Sequence, residues 1–292
     1  MHTFRIVRSA LMFCLLSVSV WAQQTSSTSS PPATSDPQAG ALVQRALVAL
    51  TGGATVSDVT LTGTARRIAG SDDETGTATL SATAAGDSKV SLNFPSGPRT
   101  EIRNHSAVPL PAVIPANAPS SAKGPQPAGA WSGPDGVLHP VTPNNIFTDA
   151  AWFFPVFTLG RIATSPNYTL SYIGQDSVNG LSALHISAVR QFPGLASADA
   201  GIGNLIQHFS QIDIYVDPTS FVPIAFTFNT HPDNIATVDI PTLIEFSNYQ
   251  SSGGVELPMH VQKYINNGLA LDLQFNNVIL NSGVTTALFQ LQ

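Results

Sequence analysis

The chain has 292 residues, of which 43% are hydrophobic and only 10% are charged, and its formal net charge is -6. That length is enough for one or two domains with a buried core. An acidic chain without a basic cluster lacks the surface that releases counterions from phosphates, so nucleic acid is excluded as a partner.

The first 22 residues have the pattern of a secretory signal peptide. Arg5 and Arg8 precede an apolar stretch over residues 10–20. That stretch is too short for a permanent membrane anchor, although an uncleaved anchor is the competing interpretation. Cleavage would also remove Cys14, the single cysteine, and with it any disulfide or thiolate metal site. The sequence therefore predicts a periplasmic or secreted protein without a permanent membrane span, and it leaves peripheral association with the envelope open.

Residues 23–36 are rich in Ser, Thr and Pro without apolar periodicity, which predicts a disordered linker. A single β-rich domain is predicted for residues 37–292. It begins with a helix, because Asp36 is a favourable N-cap, Pro37 suits the first helical position and Gly52 suits the C-terminal cap. Apolar residues at helical spacing form one stripe on this helix: Leu42, Val43, Ala46, Leu47 and Leu50.

From Val56 onward, apolar and polar residues alternate, which predicts antiparallel strands joined by tight turns. Turn signals stand between the alternating segments at Asn179-Gly180, Asp217-Pro218 and Asn267-Gly268. Taken together, the segments predict about nine to eleven strands.

The stretch of residues 105–145 interrupts this rhythm with nine prolines, which no sheet interior tolerates. We interpret it as a long insertion that is disordered or functional, with a short hairpin around Pro134-Asp135. Apolar residues at helix-like steps then predict a helical patch over residues 145–162, which Pro155 would kink or end.

These elements predict a mainly antiparallel β fold with a few helices (α+β). A wide antiparallel sheet curls, and its apolar face must be covered. The predicted architecture is therefore a curled half-open β-barrel covered by the N-terminal helix and the central helical patch. Because two short helices give little cover, an apolar cavity suited to an acyl chain is expected on the concave side. The alternative is a sandwich of two sheets that cover each other completely.

Several features, taken in order along the chain, give a family resemblance. They are the first helix ending in Gly52-Gly53, the Thr-rich strands after it, Tyr215–Pro218, Tyr249–Pro258 and Asn281–Phe289. Together they resemble the periplasmic lipoprotein-carrier superfamily of LolA, LolB and LppX-like proteins. The resemblance implies an unclosed antiparallel barrel with helices as a lid over a cavity that holds lipid acyl chains. The proline-rich insertion departs from the family pattern, and no family site residue matches a residue of this chain.

Four large aromatic residues lie within six positions of the helical patch: Trp152, Phe153, Phe154 and Phe157. One interpretation makes them ligand-binding residues of a mobile lid, with their rings against a lipid tail. The other is ordinary core packing, which clustered aromatic residues often serve.

Other motifs do not predict chemistry. Ser120–Lys123 matches the Ser-x-x-Lys nucleophile motif, but it lies among prolines without the partner motifs of that enzyme class. No histidines are paired at metal-ligand spacing, and His185 is expected to face solvent from a strand. The acidic run of residues 72–74 suits a solvated turn better than a calcium loop. We therefore predict no catalytic residue, no metal and no cofactor.

The resulting hypothesis is an exported, non-enzymatic binder or carrier of an apolar ligand, which would be a lipid, an acyl chain or a lipoprotein. The alternative is a structural, interaction or sensor module of the cell envelope that binds no small molecule.

Overall fold

A computed structural model describes residues 35–105, 128–191 and 200–290. The predicted signal peptide (residues 1–22) and nearly all of the predicted linker (residues 23–36) lie outside these residues. So do residues 106–127 of the proline-rich insertion. The division of the chain into segments therefore stays a prediction.

The described residues contain one antiparallel sheet. Its strands in chain order are β1 (Asp58–Ala69), β2 (Asp72–Thr83), β3 (Ser88–Phe94), β4 (Gly97–Asn104), β5 (Ala128–Ser132), β6 (Leu138–Pro140), β7 (Tyr168–Val178), β8 (Leu181–Arg190), β9 (Ile212–Val216), β10 (Pro223–Thr230), β11 (Ile240–Ser252), β12 (Val255–Ile265) and β13 (Gly268–Leu280). The hydrogen-bonded order is β6-β5-β4-β3-β2-β1-β13-β12-β11-β10-β9-β8-β7.

This order consists of two meanders that meet where β1 pairs with β13. One meander runs from β1 outward to β6, and the other runs from β13 outward to β7. The edge strands β6 and β7 do not pair with each other within the described residues, so the curled sheet stays half-open. The predicted fold class is confirmed, and the sandwich alternative is wrong because one continuous sheet supplies the concave face.

The sheet has thirteen strands within the described residues, more than the nine to eleven predicted. The difference is the hairpin of β5 and β6, in which Trp131 pairs with His139. The short hairpin around Pro134-Asp135 is confirmed, but it was predicted to lie within a long loop. It extends the sheet instead, because β5 pairs with β4 and because the short β6 occupies an edge, where proline is tolerated.

The first helix, α1 (Pro37–Thr51), confirms the prediction at both ends. The Asp36 carboxylate accepts a hydrogen bond from the Gln38 N–H at 2.8 Å, and Gly52 ends the helix with a left-handed φ of 56°. Asp36 also binds β7, since its N–H donates to the Leu170 carbonyl at 2.8 Å and its carboxylate accepts from the Tyr172 N–H. The apolar stripe of α1 is thereby held against the concave face of the sheet.

The second helix, α2 (Pro155–Thr164), differs from its prediction. We expected Pro155 to kink or end a helix over residues 145–162, but Pro155 is the first residue of the helix, and turns precede it. The first position of a helix requires no intrahelical N–H donor, so proline is favourable there.

A third helix, α3 (Ala200–Ser210), was not predicted. Ile202, Ile206 and Phe209 give it an apolar face at helical spacing, but Gly201 and Gly203 weakened the helical signal. Within the described residues, no helix is both long and apolar enough to span a membrane.

The main hydrophobic core lies between the concave face of the sheet, α1 and α2. Fully buried side chains from both meanders contribute to it, among them Leu61, Leu80, Ile186 and Ile244. A smaller cluster lies beneath α3 and consists of Val141, Ile146, Phe147, Ile206 and Phe209. Helices α1 and α2 are thus the elements that decide how much of the concave side stays accessible.

Candidate ligand-binding groove

A groove of about 460 Å³ lies between α1, α2 and the connections at residues 53–56 and 84, and none of its lining residues belongs to a strand. Most of its exposed lining is apolar, and Val48 on its α1 wall is 58% exposed. The lining residues are Leu47, Val48, Thr51, Gly53, Ala54, Thr55, Val56, Ala84, Val156, Phe157, Gly160, Arg161 and Thr164. An apolar concavity of this volume falls within the range of small-molecule sites.

Gly160 sits on the α2 wall of the groove. A Cβ added at this position would meet no atom within 4 Å, so this part of the wall faces open space. A larger side chain at residue 160 would therefore occupy the groove without displacing the core.

A largely buried ion pair fixes α2 next to the groove. The Arg161 guanidinium donates to the Asp149 carboxylate, which also accepts the Ala151 N–H at 2.7 Å. Burial by itself would raise the pKa of Asp149, but the attraction of Arg161 and these hydrogen bonds outweigh it and hold that pKa below its usual value. The carboxylate stays charged at neutral pH and keeps α2 in position.

The structure places the four predicted ligand-binding residues in the core. Trp152, Phe153, Phe154 and Phe157 are each at most 5% exposed. Their rings make edge contacts in pairs, Trp152 with Phe153 and Phe154 with Phe157. Phe157 borders the groove, whereas Phe153 and Phe154 are completely buried. Core packing thus accounts for the cluster as it stands, and contact with a ligand stays a prediction.

A second cavity of about 250 Å³ adjoins the groove, since Arg161 and Thr164 line both, and it extends to the gap between the two sheet edges. Residues of β4 and β5 face residues of β7 and β8 across it, and three arginines line it: Arg103, Arg161 and Arg190. The Arg103 guanidinium donates to the backbone carbonyls of Asn145, Ile146 and Thr148 at 2.9–3.1 Å. This arginine therefore fixes the segment that precedes α2 over the open side of the sheet.

Lys263 of β12 lies on the concave side and was not anticipated from the sequence. Its Nζ is 4.8 Å from the centroid of the Trp152 ring, a cation–π arrangement. Burial lowers the pKa of Lys263, and the carboxylate of Glu101 opposes this effect. An isolated lysine in an alternating strand gives no sequence signal, since only the curvature of the sheet brings it over Trp152.

The remaining sequence motifs do not form a site. Ser120–Lys123 lies outside the described residues. Asp73 and Glu74 of the acidic run form ion pairs with Arg66 and Arg67 at 2.6 and 3.2 Å.

His185 was expected to face solvent, but only 13% of its side chain is exposed, because the ring stacks on Tyr215 at 4.5 Å. We also expected no paired histidines and no metal ligands. His208 and His231 nevertheless approach each other and Asp239. No sequence pattern indicated this group, because His231 is 23 residues from His208 and 8 residues from Asp239 along the chain.

No protein-family model matches the chain. No curated protein matches it significantly either.

Comparison with solved structures finds likenesses that extend over most of the chain at low sequence identity. A Vibrio parahaemolyticus domain, provisionally described as an outer membrane lipoprotein-sorting protein, is 10% identical and has a TM-score of 0.49, covering 86% of this chain and 96% of that one. A DUF1329 family protein from Desulfovibrio piger is 11% identical with a TM-score of 0.49, covering 88% and 98%. A LolA superfamily protein from Nitrosomonas europaea is 10% identical with a TM-score of 0.46, covering 86% and 97%. At such identities and TM-scores, no argument about fold or function rests on these likenesses.

Proposed function

We propose that this protein is an exported, non-enzymatic binder or carrier of an apolar ligand, and that the groove between α1 and α2 holds the apolar part of that ligand. The ligand class is a lipid, an acyl chain or a lipidated protein. The observation that carries the proposal is the groove itself, which has a volume of about 460 Å³ and mostly apolar walls and lies beside the main hydrophobic core.

The energetics favour an acyl chain in such a groove. Each CH₂ group moved from water into an apolar site contributes about 0.8 kcal/mol. Part of this gain is lost, because binding restricts the motion of the ligand and of the groove side chains. A bound chain of medium length would therefore still be held by burial alone, without a charged anchor.

In this proposal, the predicted lid role of the aromatic cluster requires α2 to move. Phe157 can touch a ligand from its present position at the groove wall. Trp152, Phe153 and Phe154 could do so only if α2 moved away from the sheet. The short α2, which is held by the Asp149–Arg161 pair, would then act as the lid.

The experiment compares two leucine substitutions on the helices. Gly160→Leu fills the groove, whereas Gly40→Leu places the same side chain on α1 outside the groove, where a Cβ also meets no atom within 4 Å. Binding of a dansyl-labelled undecanoic acid to the delipidated protein is followed by fluorescence. We expect Gly160→Leu to weaken the binding at least tenfold and Gly40→Leu to leave it unchanged.

Equal affinity of the two variants would contradict the proposed site. No uptake by the unsubstituted protein, together with no lipid copurifying by mass spectrometry, would contradict the proposed function.

One feature favours the alternative, an interaction module. The β5–β6 hairpin exposes Trp131, Val137 and Leu138 at the edge of the sheet, and such apolar side chains often mark a contact surface. If the protein takes up no apolar probe, this hairpin is the surface to test by substitution against envelope extracts.

A further inference from the structure

Two histidines and one aspartate from separate segments converge next to α3. His208 lies in the last turn of α3, His231 directly follows β10, and Asp239 directly precedes β11. The Asp239 Oδ1 atom is 2.8 Å from His208 Nε2 and 3.0 Å from His231 Nε2. The two Nε2 atoms are 3.4 Å apart. Three potential ligand atoms therefore form a small triangle.

The dimensions of this triangle match those of a tetrahedral metal site. Zn²⁺ binds imidazole nitrogen and carboxylate oxygen at about 2.0–2.2 Å, so two ligand atoms of one tetrahedron are about 3.3 Å apart. The three observed separations lie within about half an ångström of this value. An ion on the axis of the triangle would reach all three atoms after small side-chain shifts.

His231 is held in place for such a role. Its ring is completely buried and meets the Phe209 ring edge-on at 4.8 Å. Asn145 fixes its backbone on both sides, since the side-chain amide donates to the His231 carbonyl and its oxygen accepts the His231 N–H, each at 2.8 Å. The imidazole is therefore oriented before any ion arrives, which favours binding.

The group also differs from the other contacts between histidines and carboxylates among the described residues. A single histidine meets a single carboxylate in His260–Asp272 and in His105–Asp87, and His185 meets the carboxylates of Asp176 and Asp213 at 3.3 and 3.4 Å. At Asp239, by contrast, two imidazoles share one carboxylate oxygen.

We infer that His208, His231 and Asp239 form a binding site for a divalent transition-metal ion with a tetrahedral preference, of which Zn²⁺ is the representative. Three protein ligands leave a fourth position for water or another ligand. The ion would connect α3 to the β10–β11 connection. Because Ser210 at the end of α3 lines the 250 Å³ cavity, the ion would also fix that part of the cavity wall.

The test measures Zn²⁺ binding directly. The full chain is produced without a histidine tag, treated with EDTA, dialysed and titrated with Zn²⁺ in competition with a chromophoric chelator. His208→Ala and Asp239→Asn remove one ligand each, at side chains that are about 40% exposed, so both variants should fold. His260→Ala is the matched control, because it removes a histidine from another His–Asp pair.

We expect the unsubstituted protein to bind one ion per chain. We expect each ligand variant to weaken binding at least tenfold and the control to match the unsubstituted protein. Zn²⁺ should also raise the thermal midpoint of the unsubstituted protein and of the control, but not that of the ligand variants. Absence of stoichiometric binding, unchanged affinity in either ligand variant, or an equal loss in His260→Ala would overturn the inference.

Discussion

Asp58, the first residue of β1, is a buried carboxylate that connects two distant parts of the chain. It is 3% exposed and accepts hydrogen bonds from the Ser57 hydroxyl, from the Ser282 N–H and hydroxyl at 2.8 Å each, and from the Gly283 N–H at 3.1 Å. Burial would raise the pKa of Asp58, but these hydrogen bonds outweigh it and hold the pKa below its usual value. The carboxylate thus binds the segment after β13 to the start of β1.

Replacing this carboxylate tests its contribution to stability. Asp58→Asn puts an NH₂ group where N–H and O–H groups already donate, so at pH 7 we expect a loss of about 2 kcal/mol in the free energy of unfolding. Because the folded pKa is lowered, the contribution of Asp58 is present above the ordinary aspartate pKa and is lost as the pH falls through the folded value.

Denaturant titrations at several pH values measure this effect. The gap between the unsubstituted protein and Asp58→Asn should narrow as the pH falls below about 4. A gap that stayed constant down to the most acidic condition would show that the charge of Asp58 does not contribute.

At the scale of elements, the β12–β13 hairpin has the tight turn that was predicted, but the turn lies one residue earlier in the chain. The sequence predicted the turn at Asn267-Gly268. In the structure Ile265 pairs with Gly268, and the two turn residues are Asn266 and Asn267, with φ of 49° and 64°. Two positive φ values define the type I′ turn, and asparagine tolerates that conformation better than other residues with a side chain.

The second turn position can be tested by two substitutions of opposite expected sign. Asn267→Ala should lower the free energy of unfolding by about 1 kcal/mol, because alanine resists a left-handed φ. Asn267→Gly should be neutral or stabilising, since Asn-Gly is the preferred pair of this turn. Equilibrium unfolding in urea measures both values, and a more stable alanine variant would exclude the type I′ turn.

The helices differ in how much of them the sequence could predict. Capping residues and an apolar stripe specified α1 from Asp36 to Gly52. Pro155 marked a boundary of α2 correctly but on the wrong side, since proline is compatible with a helix start as well as a helix end. The groove residue Gly160 and the metal-ligand candidate His208 lie on helices whose placement over the sheet has no local signal.

For the molecule as a whole, the decisive contact is the pairing of β1 with β13, which joins the two meanders. The register shifts at Thr62/Gly63, where Gly63 lies opposite Phe275. A Cβ at Gly63 would be 2.0 Å from the Gln274 carbonyl oxygen, a distance that no side chain can adopt. Glycine at this bulge is therefore required for the continuous sheet.

Alanine at Gly63 should test that junction. We expect Gly63→Ala to lower the free energy of unfolding by at least about 2 kcal/mol, because the two backbones must separate. Gly40→Ala is the control, because it lies in α1 with open space around its Cβ position and should be neutral or stabilising by about 0.5–1 kcal/mol. Similar unfolding free energies for the two variants would contradict the close approach at the junction.

By itself, the sequence determined what depends on neighbouring residues: the α1 helix with its caps, the alternating strands, the turns between them and the β-rich fold class. Only the tertiary structure decided which strands became neighbours, with β1 beside β13, and which side chains met, as at the groove between α1 and α2 and at His208, His231 and Asp239. The physical reason is that periodicity and capping act over a few residues, whereas these contacts join residues far apart in the chain. Their free energy depends on the curvature of the whole sheet and on the packing of the helices against it.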